Sequence, residues 1–157
     1  MSEVPQAPES LEEERGTSLR AAISREMVKA MKACYGKGPT KAKSYFFDDL
    51  LFVVMRGGMT PGEKTLLEAG EADAVRAFRQ HFENVMAERL TGTIEQLTER
   101  KVLTYQSQVL FDPDVVIEIF VFDKAPTPEA IEETAKALLS EEDPGTVRAD
   151  DPGTDPE

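Results

Sequence analysis

The chain has 157 residues, a formal net charge of −12 and 40% hydrophobic residues. This length fits one domain with a modest core, and the acidic balance disfavours a nucleic-acid-binding protein. The single cysteine, Cys34, excludes an intrachain disulfide. The N-terminus lacks a basic region followed by an apolar run, and the longest apolar runs are too short to cross a bilayer. We therefore expect a cytoplasmic protein without a membrane span.

The first predicted helix follows an acidic tail. Residues 1–14 contain little apolar material and are predicted to be disordered. A helix is predicted from about Thr17 to Tyr35, because apolar residues recur at three- and four-residue spacing. Its stripe comprises Leu19, Ile23, Met27, Ala30 and Cys34. Residues 15–45 carry eight Lys or Arg and one acid, so the chain has a local basic block despite its acidic total.

Two hairpins are predicted from runs of aliphatic and aromatic residues that flank short polar turns. The first consists of strands Lys41–Phe47 and Leu50–Arg56, and the second of strands Val102–Phe111 and Val115–Phe122. The last strand is apolar on both faces and is interrupted by Glu118. We expect this strand to lie centrally in the sheet or to pack one face against a partner.

Two helices are predicted between the hairpins. Thr60, Pro61 and Glu63 form a capping-box sequence with proline at the first helical position, so a short helix should run to about Ala69. A long helix should follow over about residues 71–99. Its predicted apolar stripe is Val75, Phe78, Phe82, Val85, Met86, Leu90, Ile94 and Leu97.

The predicted order is α-β-β-α-α-β-β-α. Residues 15–124 should form a single α+β domain, residues 125–140 a short C-terminal helix, and residues 141–157 a disordered acidic tail. The two hairpins can join into one four-stranded antiparallel sheet with the helices packed on one face. The other face and the two edges would then be exposed, so we expect a homodimer that covers the face or pairs the edges.

The basic turn Gly36-Lys37-Gly38-Pro39 and the following Lys41 form a candidate anion site. Glycines let backbone N–H groups converge on an anion, and Lys37 and Lys41 supply positive charge. The turn is not a P-loop, because it follows a predicted helix and opens a predicted strand. The structural alternative is a helix C-cap, in which Gly36 takes a left-handed conformation.

Two further residues could contribute to such a site. Arg79 could bind a carboxylate or phosphate with both arms of its guanidinium group, or it could form a salt bridge to Glu83, one helical turn on. Thr60 opens a helix whose free N–H groups could bind an anion. The capping box with Glu63 is the alternative use of those groups.

No catalytic or metal-binding cluster is predicted, and no cofactor is expected. His81 is the only histidine, so a zinc site is not expected. A solvated histidine is favoured over a general base. Cys34 lies beside the apolar stripe of the first helix and is expected to be a small buried hydrophobe.

Several sequence blocks resemble the YbcI-like family of uncharacterised bacterial proteins. The blocks are Gly36–Lys41, Asp48–Leu51, Met59–Leu67, Arg79, Glu95–Thr98, Lys101–Val102 and Ile117–Phe122. They occur in order across residues 15–124. The family is labelled Na-translocating decarboxylase-like, and some of its members lie near inorganic-carbon uptake proteins. The resemblance therefore implies an accessory role and supplies no established catalytic residues.

Together these features favour a non-enzymatic binding or regulatory accessory module that acts through a protein partner, as a homodimer. The alternative is a small-anion or nucleotide-binding sensor that uses the Gly36–Lys41 turn with Arg79. A third hypothesis is an enzyme that uses His81. Binding of nucleic acid through the basic block is opposed by the acidic remainder of the chain.

Overall fold

The computed structural model describes residues 9–123 and 146–148, with side chains described for residues 17–123. Within these residues the elements are α1 Glu9–Tyr35, β1 Lys41–Phe47, β2 Leu50–Arg56, α2 Pro61–Glu68, α3 Ala72–Thr98, β3 Val102–Leu110, β4 Val115–Phe122 and β5 Thr146–Arg148. The predicted order α-β-β-α-α-β-β is confirmed. The predicted helix over residues 125–140 lies outside the described residues.

The strands form one antiparallel sheet in the order β3-β4-β2-β1-β5. The four-stranded antiparallel sheet built from two hairpins is therefore confirmed, with β2 and β4 at its centre. The three residues of β5 pair with β1 within the segment predicted as a disordered tail. An edge strand exposes free backbone groups, and the threonine and valine of β5 favour strand structure, so pairing there is physically reasonable.

The helices pack on one face of the sheet, as predicted. The inner positions of the central strands are buried against α1 and α3, because side chains alternate between the two faces of a strand. The core so formed includes Ile23, Met27, Met31, Leu51, Val53, Leu90, Ile94, Phe120 and Phe122. This arrangement leaves the opposite face of the sheet without a helix among the described residues.

α1 begins at Glu9, eight residues before the predicted start at Thr17. Part of the predicted N-terminal tail is therefore helical. Glutamate, leucine and arginine are good helix formers, and acidic residues are favoured near a helix N-terminus. Arg20 is not among the residues of the predicted apolar stripe, yet it is 2% exposed.

The buried face of α3 differs from the predicted stripe. Its buried residues are Val75, Arg79, Glu83, Met86, Leu90 and Ile94. Phe78 and Val85, both assigned to the stripe, are 48% and 84% exposed. The predicted stripe is confirmed at Val75, Met86, Leu90 and Ile94 and is wrong at Phe78 and Val85, which were assigned to it for their hydrophobicity. Two charged side chains lie on the buried face instead, and each meets polar groups of other elements.

Candidate functional site

The glycines of the basic turn shape the exit from α1. Gly36 has a φ of 75°, and its N–H donates to the Lys32 carbonyl at 2.9 Å. The predicted helix C-cap is therefore confirmed. At Gly38 an added Cβ would lie 3.1 Å from the Lys32 Cβ, so the chain passes close to α1 there. Both glycines thus have a structural reason to be present.

The two lysines of the turn have different surroundings. Lys37 Nζ donates to the Met59 carbonyl at 3.0 Å. The Met59 N–H in turn donates to the Asp114 carboxylate at 3.1 Å. Lys41 is exposed at the start of β1, opposite Arg56 in the register. The turn therefore holds the loop before α2 through Lys37, whereas Lys41 lies apart from that contact.

Thr60 caps α2 through the predicted capping box, which is confirmed. The Glu63 N–H donates to Thr60 Oγ1 at 3.2 Å, and the Thr60 N–H donates to Glu63 Oε1 at 3.0 Å. The Thr60 hydroxyl also donates to Glu63 Oε1 at 2.9 Å. The Glu63 carboxylate is thereby fixed at the helix start, with its other oxygen directed to α3.

Arg79 on α3 binds this carboxylate with both arms of its guanidinium group. Nε lies 2.5 Å from Glu63 Oε2, and one terminal nitrogen lies 2.7 Å from Oε1. The same terminal nitrogen donates to the Gly58 carbonyl at 3.1 Å, and the guanidinium lies 4.1 Å from the Tyr35 ring centroid. Arg79 thus pairs with a residue sixteen positions earlier, and the local pair predicted with Glu83 is wrong.

Burial and pairing act against each other on these ionisable groups. Burial would raise the pKa of Glu63, but hydrogen bonds from Arg79 and Thr60 outweigh burial and hold that pKa below its usual value. Burial would likewise lower the pKa of Arg79, but the bond to Glu63 raises it. Burial also raises the pKa of the nearby Tyr35 hydroxyl. At neutral pH the pair is therefore ionised and Tyr35 is neutral.

Little space remains beside this ion pair. A cavity of about 10 Å³ lies between Tyr35, Lys37 and Arg79 and the methionines Met31 and Met55. That volume holds about one water molecule. The structure thus brings Lys37, Thr60 and Arg79 to the loop at residues 58–59, but their polar atoms bind groups of the chain itself.

A larger apolar groove lies on the outer sheet face, which we define as the face opposite α1 and α3. The groove has a volume of about 380 Å³. Its lining residues are Tyr45, Phe46, Phe47, Phe52, Val54, Gln108, Ile117 and Ile119. They fall in cross-strand rows, since Phe52 is in register with both Tyr45 and Ile119. The sequence signal for this groove was the second apolar face of the last predicted strand.

The two ends of the β1–β2 hairpin carry opposite charges. Lys41 and Arg56 lie opposite one another at one end. Asp48 and Asp49 form the turn between β1 and β2 at the other end. On its β1–β2 side the outer sheet face therefore has a basic end and an acidic end, whereas the β3–β4 turn places Asp112 and Asp114 at the same end as Lys41 and Arg56.

The remaining candidate residues form no site. His81 is exposed on α3, and Cys34 is partly buried against the core. Within residues 17–123, no three His, Cys, Asp or Glu side chains are grouped so that they could hold a metal ion. None of the described helices combines the length and apolar character needed to cross a bilayer.

Comparison with curated proteins and with solved structures finds no match. A family model described as the Na⁺-translocating membrane potential-generating system (MpsC) matches residues 16–124. The matched range contains both hairpins, α2, α3 and most of α1, and it nearly coincides with the predicted domain at residues 15–124. The narrower resemblance to YbcI-like proteins is not confirmed. Because the match covers most of the sequence, this chain belongs to the MpsC family.

Proposed function

We propose that this chain is a small, non-enzymatic accessory module that acts through protein–protein contact and self-associates through its outer sheet face. The observation that carries this proposal is the groove of about 380 Å³ on a face that no described helix covers. Apolar surface of this kind on a soluble domain marks an interaction site. The occupant we propose is a second copy of the chain.

The size of the face supports a weak dimer. Four strands about 4.8 Å apart and seven residues long give a face of roughly 440 Å². Two copies would cover roughly 900 Å² together, which is near the lower limit of about 1,000 Å² for a specific interface. We therefore expect association that depends on concentration in the micromolar range.

The charges at the ends of the face favour one arrangement. If the second copy is turned so that its strands run in the opposite direction, its Asp48-Asp49 turn lies over Lys41 and Arg56 of the first copy. At the other end, Lys41 and Arg56 of the second copy lie over the Asp48-Asp49 turn of the first copy. If the strands ran in the same direction, a two-fold axis would place β1 over β3, and Lys41 and Arg56 would lie over the β3–β4 turn, whose Asp114 already accepts the Met59 N–H. The proposed dimer is therefore antiparallel and has an ion contact at each end.

The family description gives this module a context. MpsC is described as a Na⁺-translocating membrane potential-generating system. We infer that the chain serves such a system from the cytoplasm as an accessory protein. Its resemblance to YbcI-like proteins supports the same kind of role. The protein partner in that system would bind either the dimer or a surface outside the groove.

The anion or nucleotide sensor remains a second proposal with less support. To bind at the basic turn, an anion would have to displace Glu63 from Arg79. It would also have to displace the Met59 carbonyl from Lys37. The cavity beside them has room for about one water molecule. Binding would therefore require the loop before α2 to move away from α3.

Sedimentation equilibrium of the full chain tests the proposed dimer. Phe52→Asp places a charge in the middle of the groove, and we expect it to shift the chain to monomer. Val85→Asp is the matched control, because Val85 is 84% exposed on α3, away from this face. We expect this control to dimerise as the wild type does.

Two results would contradict the proposal. A dimer that survives Phe52→Asp would mean that copies pair elsewhere, for example along the exposed edge of β3. A wild-type chain that stays monomeric at high micromolar concentration, and is destabilised by Phe52→Asp, would mean that a segment of the same chain covers the groove.

A further inference from the structure

Two carboxyl groups lie buried between α3 and the sheet. Glu83 projects from α3 and is 2% exposed, and Glu118 projects from the inner face of β4 and is 0% exposed. Ser107 on β3 is in register with Glu118, and its side chain is also buried. The Tyr105 hydroxyl, two residues earlier on β3, donates to Glu118 Oε2. The chain thus places two acids in the interior, where an unpaired ionised group is costly.

The oxygen atoms of this cluster are poorly satisfied. Glu83 Oε2 and Glu118 Oε1 are buried and make no hydrogen bond. An ionised carboxylate offers about four acceptor sites, and Glu118 receives the Tyr105 hydroxyl at one oxygen only. Buried polar atoms without partners are rare in proteins, so two acceptor oxygens in one cluster favour a hydrogen-bond donor between them.

The cation that acts on both carboxyl groups is already engaged. Arg79 lies one turn before Glu83 on α3, but its guanidinium group binds Glu63 and the Gly58 carbonyl. The Arg79–Glu63 pair is neutral as a unit. Arg79 still favours the ionised forms of Glu83 and Glu118 through space, but burial outweighs it at both. The two carboxyl groups therefore lack a compensating charge of their own.

We propose that Glu83 and Glu118 form a buried proton-binding site, in which the two carboxyl groups hold one proton at neutral pH. A proton is the smallest cation, and it turns one acceptor into a donor for the unpartnered oxygens nearby. It also removes one of two like charges from the interior, as in other close pairs of carboxyl groups. The site does not depend on the proposed dimer.

The groups that face the site from each packed element define how it titrates. They are Tyr35 on α1, Arg79 on α3, and Tyr105 and Ser107 on β3. Burial, with the Glu83 charge, raises the pKa of Glu118 to about 8 against the hydrogen bond from Tyr105. Burial also raises the pKa of Glu83. Because the groups interact, the proton belongs to the pair.

The sign of the pH dependence follows from these raised values. Between the unfolded value of 4.5 and the folded value of about 8, the folded chain holds a proton that the unfolded chain has released. Stability from this site is therefore fully present below pH 4.5 and is lost as the pH rises through the folded value. Alkaline conditions place two charges between α3 and the sheet.

Urea unfolding of the full chain over about pH 5 to about pH 8 tests the site. The unfolding equilibrium constant of the wild type, divided by that of Glu118→Gln, should rise about tenfold per pH unit. This slope corresponds to one proton released on unfolding. Glu88→Gln is the matched control, since Glu88 is exposed on α3. This control should show the same dependence of the unfolding equilibrium constant on pH as the wild type.

A second measurement does not depend on the variant being folded. Carbon NMR of the wild-type glutamate carboxyl groups should show at least one signal that stays in the protonated position at neutral pH. The proposal is overturned if every glutamate carboxyl signal titrates at or below the unfolded value of 4.5. A second experiment replaces choline by sodium at equal ionic strength. The proposal is also overturned if sodium stabilises the wild type but not Glu118→Gln, because a metal cation would then be the ligand.

Discussion

The Glu63→Gln substitution tests the ion pair that joins α2 to α3. Glutamine keeps the size of the side chain and can still accept from the Thr60 N–H. It removes the negative charge that Arg79 binds with two hydrogen bonds. The guanidinium group would then be buried without an ionic partner, because both side chains of the pair are 6% exposed.

The expected loss is large for one substitution. Breaking a buried ion pair by removing one partner costs about 3–5 kcal/mol of unfolding free energy. Removing only the cap, with Thr60→Ala, should cost about 1 kcal/mol. A domain of this size has a total stability of about 5–15 kcal/mol, so the first loss is a substantial fraction of the whole.

Urea unfolding at neutral pH, with both variants side by side, measures this difference. The pKa of Glu63 lies below its usual value of 4.5, so the pair is present at neutral pH and is lost as the pH falls through the folded value. The wild type and Glu63→Gln should therefore converge in stability in strong acid. The reasoning is refuted if Glu63→Gln costs no more than Thr60→Ala at neutral pH.

Two further predictions concern the backbone and the basic turn. Gly57 has a φ of 74°, and an added Cβ would lie 2.4 Å from Thr40 Oγ1, so Gly57→Ala should lower the unfolding free energy by at least about 1–2 kcal/mol in urea titrations. Gly92→Ala on the open surface of α3 should raise the unfolding free energy by about 0.5–1 kcal/mol. Equal changes in unfolding free energy for Gly57→Ala and Gly92→Ala would contradict this account. Inorganic phosphate should not raise the melting temperature, because Arg79 is held by Glu63; a rise that Lys37→Ala abolishes would instead favour the anion sensor.

The local features of the fold could be predicted from the sequence. The strands of the first hairpin agree with the predicted residues, because Asp48-Asp49 separates two clear apolar runs. The start of α2 agrees as well, since the capping box is a signal within four residues. β5 was not predicted, because three residues are too short a run to indicate a strand until β1 offers an edge.

The polar contacts of the interior could not be predicted in the same way. The pair between Arg79 and Glu63 joins residues sixteen positions apart on different helices, and helical spacing suggested Glu83 instead. For the same reason the predicted stripe of α3 missed the buried Arg79 and Glu83, whose partners lie on other elements, although Val75, Met86, Leu90 and Ile94 are buried as predicted. Glu118 was visible as the interruption of an apolar strand, but its neighbour Glu83 became apparent only from the packing of α3 on the sheet.

Carbodiimide cross-linking of the wild-type chain tests the central claim, antiparallel self-association through the outer sheet face, most directly. Lys41 and Asp48 lie at opposite ends of β1, roughly 23 Å apart within one chain, so a linker of zero length cannot join them intramolecularly. In the proposed dimer they lie over one another between copies. The account predicts covalent dimers in which peptide mapping finds Lys41 joined to Asp48 or Asp49, and Phe52→Asp should abolish them. Cross-linked dimers without this pair, or no dimers at high micromolar concentration, would contradict it.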